Sequence, residues 1–216
     1  MPKRSGTINV DGKKSPLLNI QGLRKGYGKD LFSPVTFSLG PGEGIAVYGH
    51  NGSGKTTLLD IIAGLQKADS GICEVRAVTG YFMQADGMQD VLSCKDNLEL
   101  EAAMCGLSGK AAAKRALACA NAFGVTSFIN KRLSRCSTGM RARVSFAAAL
   151  MASPGLLLLD EAFGALDQET RNAIRSLLFD LKREGMSFVI VSHDKSDFDG
   201  LCERTLVLPG AEILRT

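Results

Sequence analysis

GHNGSGKTT, residues 49–57, follows the apolar run Ile45, Ala46, Val47, Tyr48 and precedes Leu58, Leu59, Asp60, Ile61, Ile62. A short apolar run, a glycine-rich turn and helix-spaced apolar residues predict a strand, a loop and a helix, the setting that a GxxxxGK[ST] phosphate-binding loop requires. Gly49, Gly52 and Gly54 open backbone angles closed to other residues. The N–H groups from Gly49 through His50, Asn51, Gly52, Ser53 and Gly54 to Thr57 can then wrap a phosphate. The positive end of the following helix points at the same anion. Lys55 can reach the β and γ phosphates of a nucleotide, and Thr56 can offer its hydroxyl to Mg²⁺. The plainer alternative, a glycine-rich turn, leaves the lysine and threonine without a reason.

The 216 residues suit one domain with an inserted subdomain, and the 45% hydrophobic content suits a globular chain. Lys and Arg total 26 against 22 Asp and Glu. Lys3, Arg4, Lys13 and Lys14 against Asp11 put +3 of the net +4 into residues 1–15, read as a basic flexible tail. The folded part, 16–216, is nearly neutral, which argues against a nucleic-acid partner, since that demands a basic face on the domain itself. Cys73, Cys94, Cys105, Cys119, Cys136 and Cys202 form no CxxC pair, so reduced thiols in a cytosolic protein are expected. No apolar run approaches the roughly 20 residues that span a bilayer, and a soluble chain is expected.

Leu17 to Ile20 and Val35 to Leu39 read as short strands joined through a glycine-containing connection that carries Tyr27. Asp69, Ser70 and Gly71 read as a turn, with strands at 72–75 and 78–83 and polar Gln84 beyond them. Residues 85–152 turn helical in composition, with helices expected at 110–122 and 140–152. The runs 156–159 and 188–191 are too short for helices and too apolar for a surface, so they are buried parallel strands. Asp167 can cap a helix with Ile174, Leu177, Leu178 and Leu181 on one face, and 205–208 with 212–214 form a hairpin. The fold class expected is α/β: a phosphate-loop NTPase (RecA-like) parallel-sheet core, a small antiparallel β subdomain and an inserted α-helical subdomain at about 85–152. Ligands of such sheets sit at the carboxyl ends of strands, where the loop, Asp160 and His193 fall.

The strand Leu156 to Leu159 ends in Asp160 and Glu161. Two adjacent acids can divide the work of an ATPase, Asp160 holding Mg²⁺ and Glu161 deprotonating the attacking water. With these residues in place, the chain from Leu17 onward resembles the nucleotide-binding subunit of ABC transporters. Cys136, Ser137, Thr138, Gly139, Met140 and then Arg141 match that family's signature, usually LSGGQ followed by basic residues. Tyr27 falls where the family stacks an aromatic on adenine, an ordinary surface tyrosine being the alternative. Gln84 matches the glutamine that senses Mg²⁺ and faces the membrane partner. Asp167, in the run Ala165, Leu166, Asp167, matches the segment crossing the dimer interface, and His193 the histidine on the γ-phosphate.

The resemblance implies an ATPase that uses ATP and Mg²⁺ and pairs head to tail, as a homodimer, so that Ser137, Thr138, Gly139 and Met140 of one copy meet the ATP on the other's loop. It further implies a transmembrane permease on a separate chain, with the subunit cytoplasmic and peripheral at the inner face of the cell membrane. Thr138 and Met140 depart from the usual signature, Ala162 from a proline after the two acids, and His50 from a proline in the loop. A serine, small residue, glycine, methionine signature resembles bacterial exporters, so export is expected. A soluble ABC ATPase without a membrane partner, as in iron–sulfur cluster assembly, and a nucleotide-gated module with little turnover are the competing readings.

Overall fold

The computed structural model describes residues 15–82, 87–164 and 166–215; the basic run at 1–14 and Gln84 lie outside the described residues. In chain order come β1 (Leu18–Arg24), β2 (Val35–Leu39), β3 (Gly44–Gly49), α1 (Lys55–Ile62), β4 (Ser70–Val75) and β5 (Thr79–Phe82). Then follow α2 (Cys94–Met104), α3 (Gly109–Ala122), α4 (Thr138–Ala149), β6 (Leu156–Asp160), α5 (Gln168–Arg183), β7 (Ser187–Val191), β8 (Arg204–Leu208) and β9 (Glu212–Arg215).

A six-stranded sheet runs β5-β6-β7-β3-β8-β9, parallel from β5 to β8 and closed by the antiparallel β8–β9 hairpin. Every residue of β6 and β7 is buried, as a strand covered on both faces must be. Their side chains alternate between two cores. Leu157, Leu159, Phe188 and Ile190 join Phe146, Phe163 and Leu178 on one face. Leu156, Leu158, Val189 and Val191 join Ile45, Val47, Leu58 and Leu59 on the other, continuous with Leu18, Ile20 and Leu39 of the small sheet. Because β6, β7 and β3 are neighbours, the segments leaving their carboxyl ends emerge side by side.

The small antiparallel sheet has the order β2-β1-β4, and it corrects two boundaries. β1 does not stop at Ile20 but continues to Arg24 through a register shift between Ile20 and Leu23. Ser70 and Gly71, read as part of a turn, belong to β4. One cause serves both: Gly22 and Gly71 take φ of +56° and +88°, and a Cβ on Gly71 would lie 2.4 Å from the Gly22 carbonyl oxygen. Two facing glycines let the strands bulge and stay paired, which glycine's punctuating role in a sequence conceals.

Between β5 and β6 the chain forms α2, α3 and α4, packed through Leu98, Ala102, Ala116, Ala120, Val144 and Phe146. Ser93 caps α2, its Oγ accepting from the Asp96 N–H at 3.1 Å. α4 ends at Ala149, short of the expected Ala152, with Leu150 as its cap and Ser153 in a left-handed turn at φ +53°.

Candidate nucleotide site

The loop 49–57 sits at the carboxyl end of β3, and its closure is steric. A Cβ on Gly49 would lie 2.5 Å from Ser53 Oγ and 2.6 Å from the Leu208 carbonyl oxygen, so no side chain fits there. Gly54 at φ +93° turns the chain into α1, whose first residue is Lys55. The Lys55 ammonium, buried at 8% exposure, donates to the carbonyls of Gly49 at 2.9 Å and His50 at 3.1 Å. Ser53 Oγ is buried without a protein partner. His50, Asn51 and Gly52 are exposed at the loop's crest, with Thr56 exposed and Thr57 half-buried on α1.

Thr56 Oγ1 donates to Asp160 Oδ2 at 2.8 Å, joining the loop helix to the end of β6. Asp160 is buried, and its Oδ1 has no protein partner. Burial raises its carboxyl above the ordinary aspartate range, with the Thr56 hydrogen bond opposing. Glu161 takes φ +50°, a left-handed angle costing roughly 1–2 kcal/mol in a residue with a side chain. Its backbone N–H is held at 3.0 Å by the Val191 carbonyl. That twist brings Glu161 Oε1 to 2.9 Å from His193 Nε2. Burial raises the Glu161 carboxyl, and the neighbouring His193 and Lys55 oppose it. The His193 ring stands edge-on to Tyr48, their centroids 6.2 Å apart.

Arg171, one turn into α5, was not singled out from the sequence. Its guanidinium lies 3.0 Å from Asp194 Oδ2 and 3.2 Å from Asp197 Oδ1, and it donates to the Phe163 carbonyl at 3.2 Å. It thus fastens the segment after Glu161 to the segment after His193. Ser192 Oγ donates to Asp197 Oδ2 at 2.5 Å from the other side. The available signal was topological: an acid directly after His193 and an arginine on the helix after Glu161 sit on connections leaving adjacent strands. Because Asp197 is buried, Arg171→Ala strands a charge and is expected to destabilise the fold by about 3 kcal/mol. Arg171→Lys, which keeps the charge and loses the fork, should cost less. Urea unfolding of both variants measures this, and equal midpoints for Ala and wild type would mean that Asp197 needs no counter-ion.

Tyr27 is exposed and shares a cleft of about 650 Å³ with Arg24, Lys29, His50, Gly52 and Ser53. Its hydroxyl accepts from Gln66 Nε2, and the Lys25 ammonium lies 5.5 Å from its ring centroid. Ser137 caps α4, its Oγ accepting from the Met140 N–H at 3.3 Å. Among the described residues, no hydrogen bond joins 137–140 to the loop 49–57 of the same chain. Gly139 instead faces Thr170 and Asp167: a Cβ there would lie 3.2 Å from Thr170 Oγ1. Asp167 caps α5, accepting from the Thr170 N–H at 2.8 Å and its hydroxyl at 3.1 Å, bonds that lower its carboxyl. The residues thus fall into two groups, one around the loop with Tyr27, Asp160, Glu161 and His193, the other around Ser137, Gly139 and Asp167.

A parallel sheet with a glycine loop closing on a helix start, and acids at the next strand ends, defines the phosphate-loop nucleotide hydrolases. The sequence profile of the family described as ABC transporter matches residues 32–164, well over half of the chain. The chain belongs to the ABC transporter family, as an ATP-binding, ATP-hydrolysing subunit. It is 34% identical to a taurine import ATP-binding protein of Yersinia pestis, over 90% of this chain and 80% of that one. It is 29% identical to the linearmycin resistance ATP-binding protein of Bacillus subtilis, over 92% of this chain and 68% of that one. A dimeric post-hydrolysis ATP-binding cassette bound to ADP and Pi superposes with a TM-score of 0.83 at 26% identity, covering 92% of this chain and 98% of that one.

Proposed function

We propose that two copies of this chain, paired head to tail, hydrolyse ATP to drive a membrane permease carried on a separate polypeptide, in the direction of export. The observation that carries the reading is the division of the site: Lys55, Thr56, Asp160, Glu161 and His193 converge, while among the described residues no hydrogen bond joins Ser137 or Gly139 to that loop and Gly139 faces Thr170 and Asp167. A second copy supplies the missing side, and the dimeric cassettes among the structural relatives support this arrangement. Lys55 would exchange its two carbonyl partners for β- and γ-phosphate oxygens, and the N–H groups of the loop would line the same anion. Glu161 takes a proton from the attacking water, and His193, held beside it, faces the γ-phosphate.

The residues fit Mg²⁺. Asp160 offers a buried oxygen with no protein partner, and Thr56 a hydroxyl already 2.8 Å from the same carboxylate. Among the described residues no cluster of three or more His, Cys, Asp or Glu could cage a metal, as suits an ion held largely by phosphate and water. Such an ion would neutralise charge on the phosphates, with Gln84 proposed to sense it and Asp167 to lie at the partner interface. Tyr27 is proposed to stack on adenine at the mouth of its cleft. Tyr27→Ala should then weaken ATP binding by about 1 kcal/mol, read by calorimetry; equal affinity would move the adenine platform elsewhere.

No helix among the described residues is long and apolar enough to cross a membrane, and the proposal places the membrane span on a separate permease chain. An apolar groove of about 380 Å³ with exposed Leu65, Leu100 and Met104 supports such a partner. The Ser137, Thr138, Gly139, Met140 signature supports export, while the named relatives serve taurine import and linearmycin resistance. Affinity capture of the chain from its native membranes tests the reading: a multi-span protein is expected among the captured chains, and a purely soluble set would overturn it. ATP-driven accumulation of substrate in inside-out vesicles holding both chains is the mark of export.

A further inference from the structure

Two cysteines that the nucleotide site does not use lie against each other beside the signature. Cys94 opens α2 and is buried, and Cys136 is half-buried and directly precedes Ser137, the cap of α4. Their sulfurs are 3.5 Å apart. Closing to the roughly 2.05 Å of a disulfide takes a shift of about 1.5 Å. Backbone pairing, not a chance of side-chain rotation, holds them there. Cys94 N donates to the Lys131 carbonyl at 2.9 Å, Lys95 N to Ile129 at 2.8 Å, Leu133 N to Leu92 at 2.9 Å and Ser134 N to Asp90 at 3.1 Å. Cys136 N then turns back onto the Leu133 carbonyl at 3.0 Å. Among the described residues no other two thiols are within hydrogen-bonding reach.

We propose that Cys94 and Cys136 are a thiol modification site, closed to an intramolecular disulfide by exchange with a low-molecular-weight disulfide of the glutathione class and reopened by thiols. The Cys136 thiolate attacks one sulfur of glutathione disulfide, forming the mixed disulfide and releasing one glutathione thiolate. The Cys94 thiolate then attacks the Cys136 sulfur, forming the protein disulfide and expelling the second glutathione. Two protein thiols are oxidised, one glutathione disulfide is reduced to two thiols, and the two protons pass to the released thiolates. Burial raises the Cys94 thiol, and the hydrogen bond to Cys136 adds to this, so half-exposed Cys136 is the point of entry and Cys94 resolves. The bond would tie the start of α2 to the residue before Ser137. Resting on the reading that Ser137 and Gly139 must meet the partner's ATP, this displaces the signature and lowers turnover.

The test treats the full chain with glutathione disulfide, alkylates the remaining thiols and digests. A linked peptide joining Cys94 to Cys136 is expected, with loss of two of the six free thiols and a fall in ATPase of roughly ten- to a hundredfold, the scale of a small misplacement of a reacting group. Dithiothreitol should restore both. Cys94→Ala should keep wild-type basal turnover and yield only the Cys136–glutathione adduct; if it does not fold, Cys136→Ala must abolish the linked peptide instead. Only mixed adducts on the unmodified chain would overturn the site, and a linked peptide with unchanged turnover would overturn its coupling to the signature. The peptide readout needs no ATPase, so an inactive untreated protein counts against the proposed function and not against the thiol site.

Discussion

Glu161→Gln is expected to lower ATP turnover by roughly 10²- to 10⁴-fold, the scale set by loss of a general base. The substitution keeps the length and the acceptor oxygen of the side chain, and with them a contact to His193, now 2.9 Å from Glu161 Oε1. It removes the capacity to take a proton. Position 161 is also held in place independently of the side chain, through its N–H on the Val191 carbonyl at 3.0 Å. The left-handed angle at this residue, φ +50°, is therefore retained, and the variant should fold as wild type. A residue with a side chain held at such an angle is itself a pointer to function, since the strain persists only where the surroundings impose it. With binding intact and hydrolysis blocked, ATP should trap the closed pair, and size-exclusion chromatography should show a dimer that wild type shows only transiently. A phosphate-release assay giving unchanged turnover would remove Glu161 from the role of base, whatever the dimer does.

What made the near half of this site legible was that its residues are local to strand ends. GHNGSGKTT carries its geometry in its own glycines, and apolar runs ending in Asp160, Glu161 and His193 announce buried strands with polar tips. Once the strands are parallel, their carboxyl ends share an edge, and the meeting of Thr56 with Asp160 follows. The parts that escaped depend on pairs distant in sequence. Gly22 and Gly71 read singly as breaks, whereas facing each other they permit a bulge that keeps two strands joined. Arg171 reads as one of many charges on an amphipathic helix, and its value lies in Asp194, Asp197 and the Phe163 carbonyl, reached only through the adjacency of β6 and β7. Cys94 and Cys136 show no spacing that signals a pair, because the backbone pairing between their segments, not local sequence, sets them together. The family resemblance supplied roles for Ser137, Gly139 and Asp167 that local chemistry does not imply. On their own terms Ser137 and Asp167 are helix caps, and a cap and an interface contact can be the same atom used twice.

Lys55→Met is expected to raise the dissociation constant for ATP by roughly 10²- to 10⁴-fold, while changing the stability of the nucleotide-free chain far less. Methionine fills nearly the same buried volume, so the core beneath α1 is not opened. The ammonium now donates to the Gly49 and His50 carbonyls at 2.9 and 3.1 Å. Its loss leaves two acceptors unpaired, a cost of about 1–3 kcal/mol. The desolvation of a cation at 8% exposure disappears at the same time and offsets part of that cost. Phosphate offers the lysine two charge-assisted hydrogen bonds in place of the two neutral carbonyl contacts, each worth about 1.5–3 kcal/mol. The attraction of the ammonium for a triphosphate adds to these, the two carbonyl bonds given up on binding offset part of them, and the difference is the affinity loss expected. Titration calorimetry with ATP and a thermal melt without it separate the two quantities. A fall in melting temperature with ATP affinity unchanged would make Lys55 a structural tie across the loop and would remove the phosphate contact on which the reading of residues 49–57 rests.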